Sequence, residues 1–233
     1  MVKILILILY NDSEEYNEMK KIQENFLKHT CKDINFFFYS YKYFEDKEYE
    51  FIDNDLFMNG KEDYKYGILQ KTLGAFKIIN EKYEYDYIIR QNISTIVDYK
   101  NLIKVIEEKH PFNYGGLIIE NRFLSGICII FSKKSIELLI KAYNREYIKG
   151  MDDLQIGLYL KKNKIHMTCF YKYIAWNSET AIKNRYIYRN RNIKYKNRTE
   201  DIQNMITISN NILNNKSYDI PNKLKSNCIC LIK

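Results

Sequence analysis

Two adjacent carboxylates, Asp152 and Asp153, open a run with helical periodicity that continues through Leu160. At a helix N-terminus one acid ordinarily caps an orphan backbone N–H and both favour the dipole. If one acid caps, the other is free to take a proton from a substrate hydroxyl as a general base. The plainer reading is that Asp152 caps and Asp153 only favours the dipole. A second group, Arg90, Asn92 and Ser94, follows directly on the apolar run Tyr85, Tyr87, Ile88 and Ile89. Arg90 and Lys71 are cations that can meet phosphate, or else an ion-paired arginine and a surface lysine. Asn92 and Ser94 are neutral oxygen donors, poor ligands for magnesium or manganese.

These side chains need a frame. Lys3–Leu9 reads as a buried first strand, and Tyr10-Asn11-Asp12-Ser13 as the loop at its carboxyl end. Asp12 or Ser13 can cap a helix over Glu14–Leu27, and Ile34–Tyr39 is a second strand. The loop lacks the glycine-rich dinucleotide fingerprint. A short strand is expected near Glu50–Ile52, then an irregular piece at Leu56–Tyr66. Ile68–Glu81 is an amphipathic helix with Leu69, Leu73, Phe76 and Ile79 at core spacing. After the strand that ends in Arg90–Thr95, Asp98 is placed to cap a helix over Tyr99–Lys109, stopped by His110-Pro111. Tyr114–Glu120 and Leu124–Phe131 read as strands, Lys133–Tyr147 as a helix capped by Ser132, and His166–Tyr173 as a strand. Lys183–Arg198 reads as a basic, solvated face and Thr199–Asn214 as a final helix. In open α/β sheets ligands bind at the carboxyl ends of strands, which is where Tyr10, Asn11, Arg90, Asn92 and Ser94 fall.

Composition narrows the class. With 46% hydrophobic and 15% aromatic residues the chain is globular, and 2 Pro and 8 Gly leave no linker. One domain over 1–233 is expected, with a nucleotide half (1–110), an acceptor half (111–180), and a basic segment with a C-terminal helix (181–233). The net charge of +8 admits a polyanionic partner, yet acids are interspersed through most of the chain. Nucleic acid binding is therefore set aside as the main role. Five cysteines without CxxC spacing suggest free thiols in a reducing compartment, not a disulfide framework or a zinc site. His29, His110 and His166 are scattered on unrelated elements, and Cys230-Leu-Ile-Lys imitates a prenylation box only by chance. No stretch approaches the roughly 20 apolar residues of a membrane span.

Three ordered segments resemble the inverting β1,3-glycosyltransferases of the Fringe and core-1 galactosyltransferase type. Lys71-Thr72 leads to the strand whose end carries Thr95 and Val97, with Asn92 and Ser94 where that family has the aspartates of its metal-binding Asp-x-Asp. Phe123-Leu-Ser125-Gly126 with Ser132 is similar to the aromatic-x-Ser-Gly-Gly strand and its Ser-capped helix, Ile127 replacing the second glycine. Asp152-Asp153-Leu-Gln-Ile-Gly157 matches the acidic pair of the family, one carboxylate of which is the catalytic base.

The resemblance implies an α/β, GT-A-like (Rossmann-like) fold with a mainly parallel central sheet flanked by helices. It implies transfer of a sugar from a nucleotide donor, a UDP-sugar, to a hydroxyl of a glycan or glycoconjugate, with inversion. Asp153, or Asp152, would be the base. Tyr10, Asn11, Lys71, Arg90, Asn92 and Ser94 would bind the donor. Ser125, Gly126 and Trp176 would meet the acceptor, although Trp176 equally suits core packing. No metal ligand is assigned and no cofactor is required; whether manganese or magnesium takes part is left open. The small size is similar to soluble versions encoded by large DNA viruses, which implies a cytoplasmic or virion location. The rival is a non-catalytic glycan- or nucleotide-binding protein on a degenerate form of the fold. Sugar, acceptor and oligomeric state are not legible.

Overall fold

The computed structural model describes residues 2–63, 67–144, 150–191 and 198–219. The expected extension of the helix to Tyr147, the end of the irregular piece at 64–66, positions 192–197 of the basic run, and Cys228 and Cys230 lie outside them. In chain order the elements are β1 (Ile4–Leu9), α1 (Glu14–Thr30), β2 (Phe36–Lys42), β3 (Tyr49–Ile52), β4 (Asp55–Asn59), α2 (Gly67–Lys82), β5 (Tyr87–Asn92), β6 (Thr95–Val97) and α3 (Tyr99–Lys109). Then come β7 (Tyr114–Gly116), β8 (Ile118–Ile119), β9 (Phe123–Leu124), β10 (Cys128–Ser132), α4 (Lys133–Asn144), α5 (Asp152–Lys162) and β11 (Met167–Cys169). A 3-10 turn (Tyr171–Tyr173), β12 (Ile174–Trp176), β13 (Ile187–Arg189) and α6 (Thr199–Leu213) complete the chain.

These elements group into two compact units, each gathered from three segments. The first comprises Met1–Asp12, Ile34–Asn92 and Pro111–Cys169. It holds an eight-stranded sheet in the order β11-β7-β10-β5-β1-β2-β4-β3. The pairings β1–β2, β1–β5, β2–β4 and β11–β7 are parallel, whereas β10 runs antiparallel to β5 and β7, and β3 to β4. The near-continuous apolar runs of β1, β2 and β5 follow from burial on both faces, as parallel strands require. Leu5, Leu7, Phe37, Tyr39, Ile88, Ile129 and Phe131 share one core with Leu69, Leu73, Phe76 and Ile79 of α2, Ile136 and Leu139 of α4, and Ile156 and Leu160 of α5. Each such side chain, once buried, contributes roughly 1.5–3 kcal/mol.

The second unit comprises Ser13–Asp33, Ile93–His110 and Phe170–Lys233. It contains α1, α3, α6 and a three-stranded sheet in the order β12-β13-β6. Asp98 caps α3 as expected, accepting from the Asn101 backbone N–H at 3.2 Å. No helix among the described residues is long and apolar enough to cross a membrane.

Four expectations need correction. Leu56–Tyr66 is not irregular throughout: Asp55–Asn59 forms β4, pairing with β2 and β3. The span 114–131 is broken by a hairpin, because Glu120 and Asn121 adopt left-handed φ of 49° and 53° and turn β8 back onto β9. The strand expected over His166–Tyr173 stops at Cys169 and gives way to the 3-10 turn. The basic run is a solvated face only at part of its described length: Lys183, Asn184 and Arg191 are exposed, but its middle is not. Ile187, Tyr188 and Arg189 are buried as the central strand of the smaller sheet.

Candidate active site

The period of two along β5 puts Ile88 and Arg90 on the same sheet face, the one covered by α2 and α5. Arg90 is therefore a charge in a core position, only 2% exposed, and it must be paired. Its Nη2 donates to Asp152 Oδ2 at 2.9 Å, its Nη1 to the Gly126 carbonyl at 2.8 Å, and its Nε to the Tyr39 hydroxyl at 3.1 Å. Asp153 Oδ1 lies 3.9 Å from Nη1. Tyr39 is held in turn by Thr72 of α2, Oη to Oγ1 at 3.0 Å. Burial works against the guanidinium charge, but Tyr39 and both carboxylates more than offset it and raise its pKa.

The acid pair is not used for capping. Met151 is the N-cap of α5 and gives no side-chain cap bond. Asp152 goes to Arg90, and Asp153 Oδ2 accepts the Gly126 backbone N–H at 2.5 Å. Burial, then the charge of Asp152, pushes the Asp153 carboxyl up to about 7, against the opposing pull of Arg90 and the Gly126 N–H. A side-chain hydrogen bond with Asp152 adds to the upward push on Asp153. Both keep a partly exposed side chain, 20% for Asp152 and 24% for Asp153.

Two glycines allow this approach. A Cβ on Gly126 would lie 2.5 Å from Asp153 Oδ1 and 2.6 Å from Arg90 Nη1. A Cβ on Gly157 would lie 2.4 Å from Phe123 Cβ and 2.6 Å from its Cα, so this glycine lets α5 sit against β9. Sequence reasoning placed Gly126 at the acceptor; the structure makes it the backbone clamp of the acid pair. Ser125 is beside it, half-buried, its N–H bonded to the Leu117 carbonyl at 2.9 Å.

Lys71 is also committed. It is 2% exposed, and its Nζ donates to Glu62 Oε1 and Oε2 at 2.6 and 2.7 Å and to the Tyr10 carbonyl at 3.0 Å. Burial lowers its pKa, opposed by Glu62. Tyr10 and Asn11 are buried at the carboxyl end of β1, and half-buried Asn92 ends β5 with its N–H on the Ile127 carbonyl at 3.2 Å. Glu62 and Tyr39 escaped the sequence reading. Tyr39 had a usable signal, since it ends a predicted strand at the same sheet edge; Glu62 precedes its partner on an irregular segment and had none.

Ser94 and Trp176 belong to the second unit. The Ser94 hydroxyl accepts from the Arg189 guanidinium. Trp176 is 41% exposed, so it is not core packing. The Asp-x-Asp positions do not fit a divalent ion: Asn92 and Ser94 bring no charge, and the Ser94 oxygen already faces a cation. Among the described residues no three His, Cys, Asp or Glu side chains are grouped to hold a metal. Cys31 and Cys128 are buried thiols, raised by burial to about 11 and about 12, which disfavours their thiolate form.

No protein-family model and no curated protein matches the sequence. Among solved structures, a glycosyltransferase involved in glycosylation of the major capsid of PBCV-1 superposes with a TM-score of 0.55 at 12% identity, covering 87% of this chain and 98% of that one. Drosophila β1,4-galactosyltransferase 7 with manganese, UDP-Gal and xylobiose gives a TM-score of 0.40 at 12% identity, over 72% of this chain and 65% of that one. The fold is thus that of a GT-A-like glycosyltransferase: α/β, with a large, mostly parallel central sheet flanked by helices.

Proposed function

We propose that the chain is an inverting glycosyltransferase, moving a sugar from a UDP-sugar to a hydroxyl of a glycan or glycoconjugate, with Asp153 as the base. The observation that carries this reading is the state of Asp153. It is a partly exposed carboxylate at the start of α5, clamped through one oxygen by the Gly126 N–H, with a pKa raised to about 7. A base tuned near the working pH combines the deprotonated form with useful proton affinity. In the proposed step the acceptor oxygen attacks the anomeric carbon and its proton passes to Asp153 Oδ1. The bond to the diphosphate breaks, and its electron pair leaves on the diphosphate oxygen. Asp152 and Arg90 position the base; Asp152 is held by Arg90 and raises the basicity of its neighbour.

The glycosyltransferase activity of the PBCV-1 protein supports this reading through fold alone. Neutral Asn92 and Ser94 favour a second reading, a non-catalytic binder of nucleotide or glycan. Incubation with a panel of UDP-sugars, with manganese and then with chelator, tests the two. The expected result is UDP release that survives chelation and, with an acceptor, a product of inverted anomeric configuration by NMR. Nucleotide binding without turnover would instead establish the binder.

A further inference from the structure

Among the described residues, the second unit holds a buried cation that no carboxylate pairs. Arg189 ends β13 and is 7% exposed. Its guanidinium donates to the Ser94 hydroxyl, and among the described residues no carboxylate pairs with it. Asp201, the acid whose charge reaches it, is taken by Arg198, Nε to Oδ2 at 2.5 Å. Burial, and then the like charges of Arg198 and Arg191, lower the Arg189 pKa to about 10. Arginine this buried is ordinarily paired, because desolvating a lone charge is costly. The next residue, Asn190, is also fully buried, with neither amide atom bonded among the described residues. The register sets Arg189 between buried Thr95 and exposed Trp176, so it is on the Trp176 side that its strand neighbour meets solvent.

We propose that Arg189, docked on Ser94, is the receiving cation of a diphosphate-binding site. The guanidinium is a planar fork of donors that matches phosphate oxygens two at a time, and it is more weakly hydrated than an ammonium ion. Ser94 fixes its orientation while leaving the charge uncancelled, as a carboxylate at that position would not. The ligand assigned is the diphosphate group itself, free as pyrophosphate or carried by a nucleotide such as UDP, and this anion site, built within the second unit, does not depend on the function proposed above. The consequence is that diphosphate is held by a protein cation, with no divalent ion needed for binding.

The test is titration calorimetry in EDTA with UDP, pyrophosphate and uridine on the wild type, Arg189→Met and Ser94→Asp, each checked for folding by circular dichroism. UDP and pyrophosphate should bind the wild type. Both variants should weaken them by about 10- to 100-fold, the worth of a charge-assisted bond, leaving uridine unchanged. Ser94→Asp should also raise Tm, since it gives Arg189 a partner. Pyrophosphate binding that depends on Arg189, with no gain from the uridine moiety and no sugar transfer, would uphold the anion site while removing the glycosyltransferase reading. Unchanged affinity in either folded variant, or no anion binding by the wild type in EDTA, overturns the proposal.

Discussion

At the scale of single residues the site is a problem in charge placement. Arg90 occupies a core position and is tolerable there only because Asp152, Asp153, Tyr39 and the Gly126 carbonyl face it. Asp153 gains less from Arg90 than it loses to burial and to Asp152, so its folded pKa lies above the ordinary value. The sign follows from linkage: a carboxyl that holds its proton more tightly when folded contributes stability below about pH 4 that is lost as pH rises towards about 7. Asp153→Asn cannot ionise and lacks this loss. Its Tm relative to the wild type should therefore climb between pH 4 and 7, measured by calorimetry; a pH-independent difference would show that Asp153 is an ordinary surface acid. Arg90→Met leaves two acids side by side without their cation and should destabilise the fold at neutral pH by about 3–5 kcal/mol in urea melts. The loss should shrink at pH 4, where Asp153 is protonated.

At the scale of elements, close approach is what the glycines permit. Gly126→Ala puts a methyl group between Asp153 and Arg90, where no side chain fits. Overpacking of this kind costs about 1–3 kcal/mol, and turnover should fall more than the change in Tm implies because the clamp on the base is displaced. Lys71 links α2 to the segment before it through Glu62. Lys71→Ala should lower stability by about 1–3 kcal/mol, and Glu62→Gln should recover part of that loss in the double variant. Additive losses in that cycle would mean the pair is not coupled.

The elements themselves were largely legible. Core spacing in Ile68–Glu81, the cap at Asp98 and the apolar runs of β1, β2 and β5 are local signals, and each became the element expected. What failed was non-local. The run from Lys183 looks solvated by composition, but Ile187–Arg189 is buried because β6 and β12 flank it. The acid pair was found from its spacing, whereas its partners were not. Nothing in a sequence says that Arg90 points at Asp152 rather than at phosphate until the register of β5 is known.

At the scale of the molecule, eight strands and three covering helices carry the acid pair, Lys71 and Asn92 in one unit, while Ser94, Trp176 and Arg189 sit in the other. The α/β class was legible from strand–helix alternation. The two-unit grouping was not, because each unit is sewn from three separated segments and no composition change marks the crossings. The likeness to the PBCV-1 enzyme is visible in the fold at 12% identity, where no sequence profile reaches it.

The central claim, that Asp153 is the base of a sugar transfer, is met most directly by one pH–rate experiment. UDP release from a UDP-sugar is followed from pH 5 to 9 for the wild type and Asp153→Asn, with UDP affinity measured in parallel. The account predicts wild-type turnover that rises through about pH 7 as Asp153 deprotonates. It also predicts a variant slower by about 10²–10⁴ with unchanged UDP affinity. A variant that turns over at the wild-type rate across that range would contradict it.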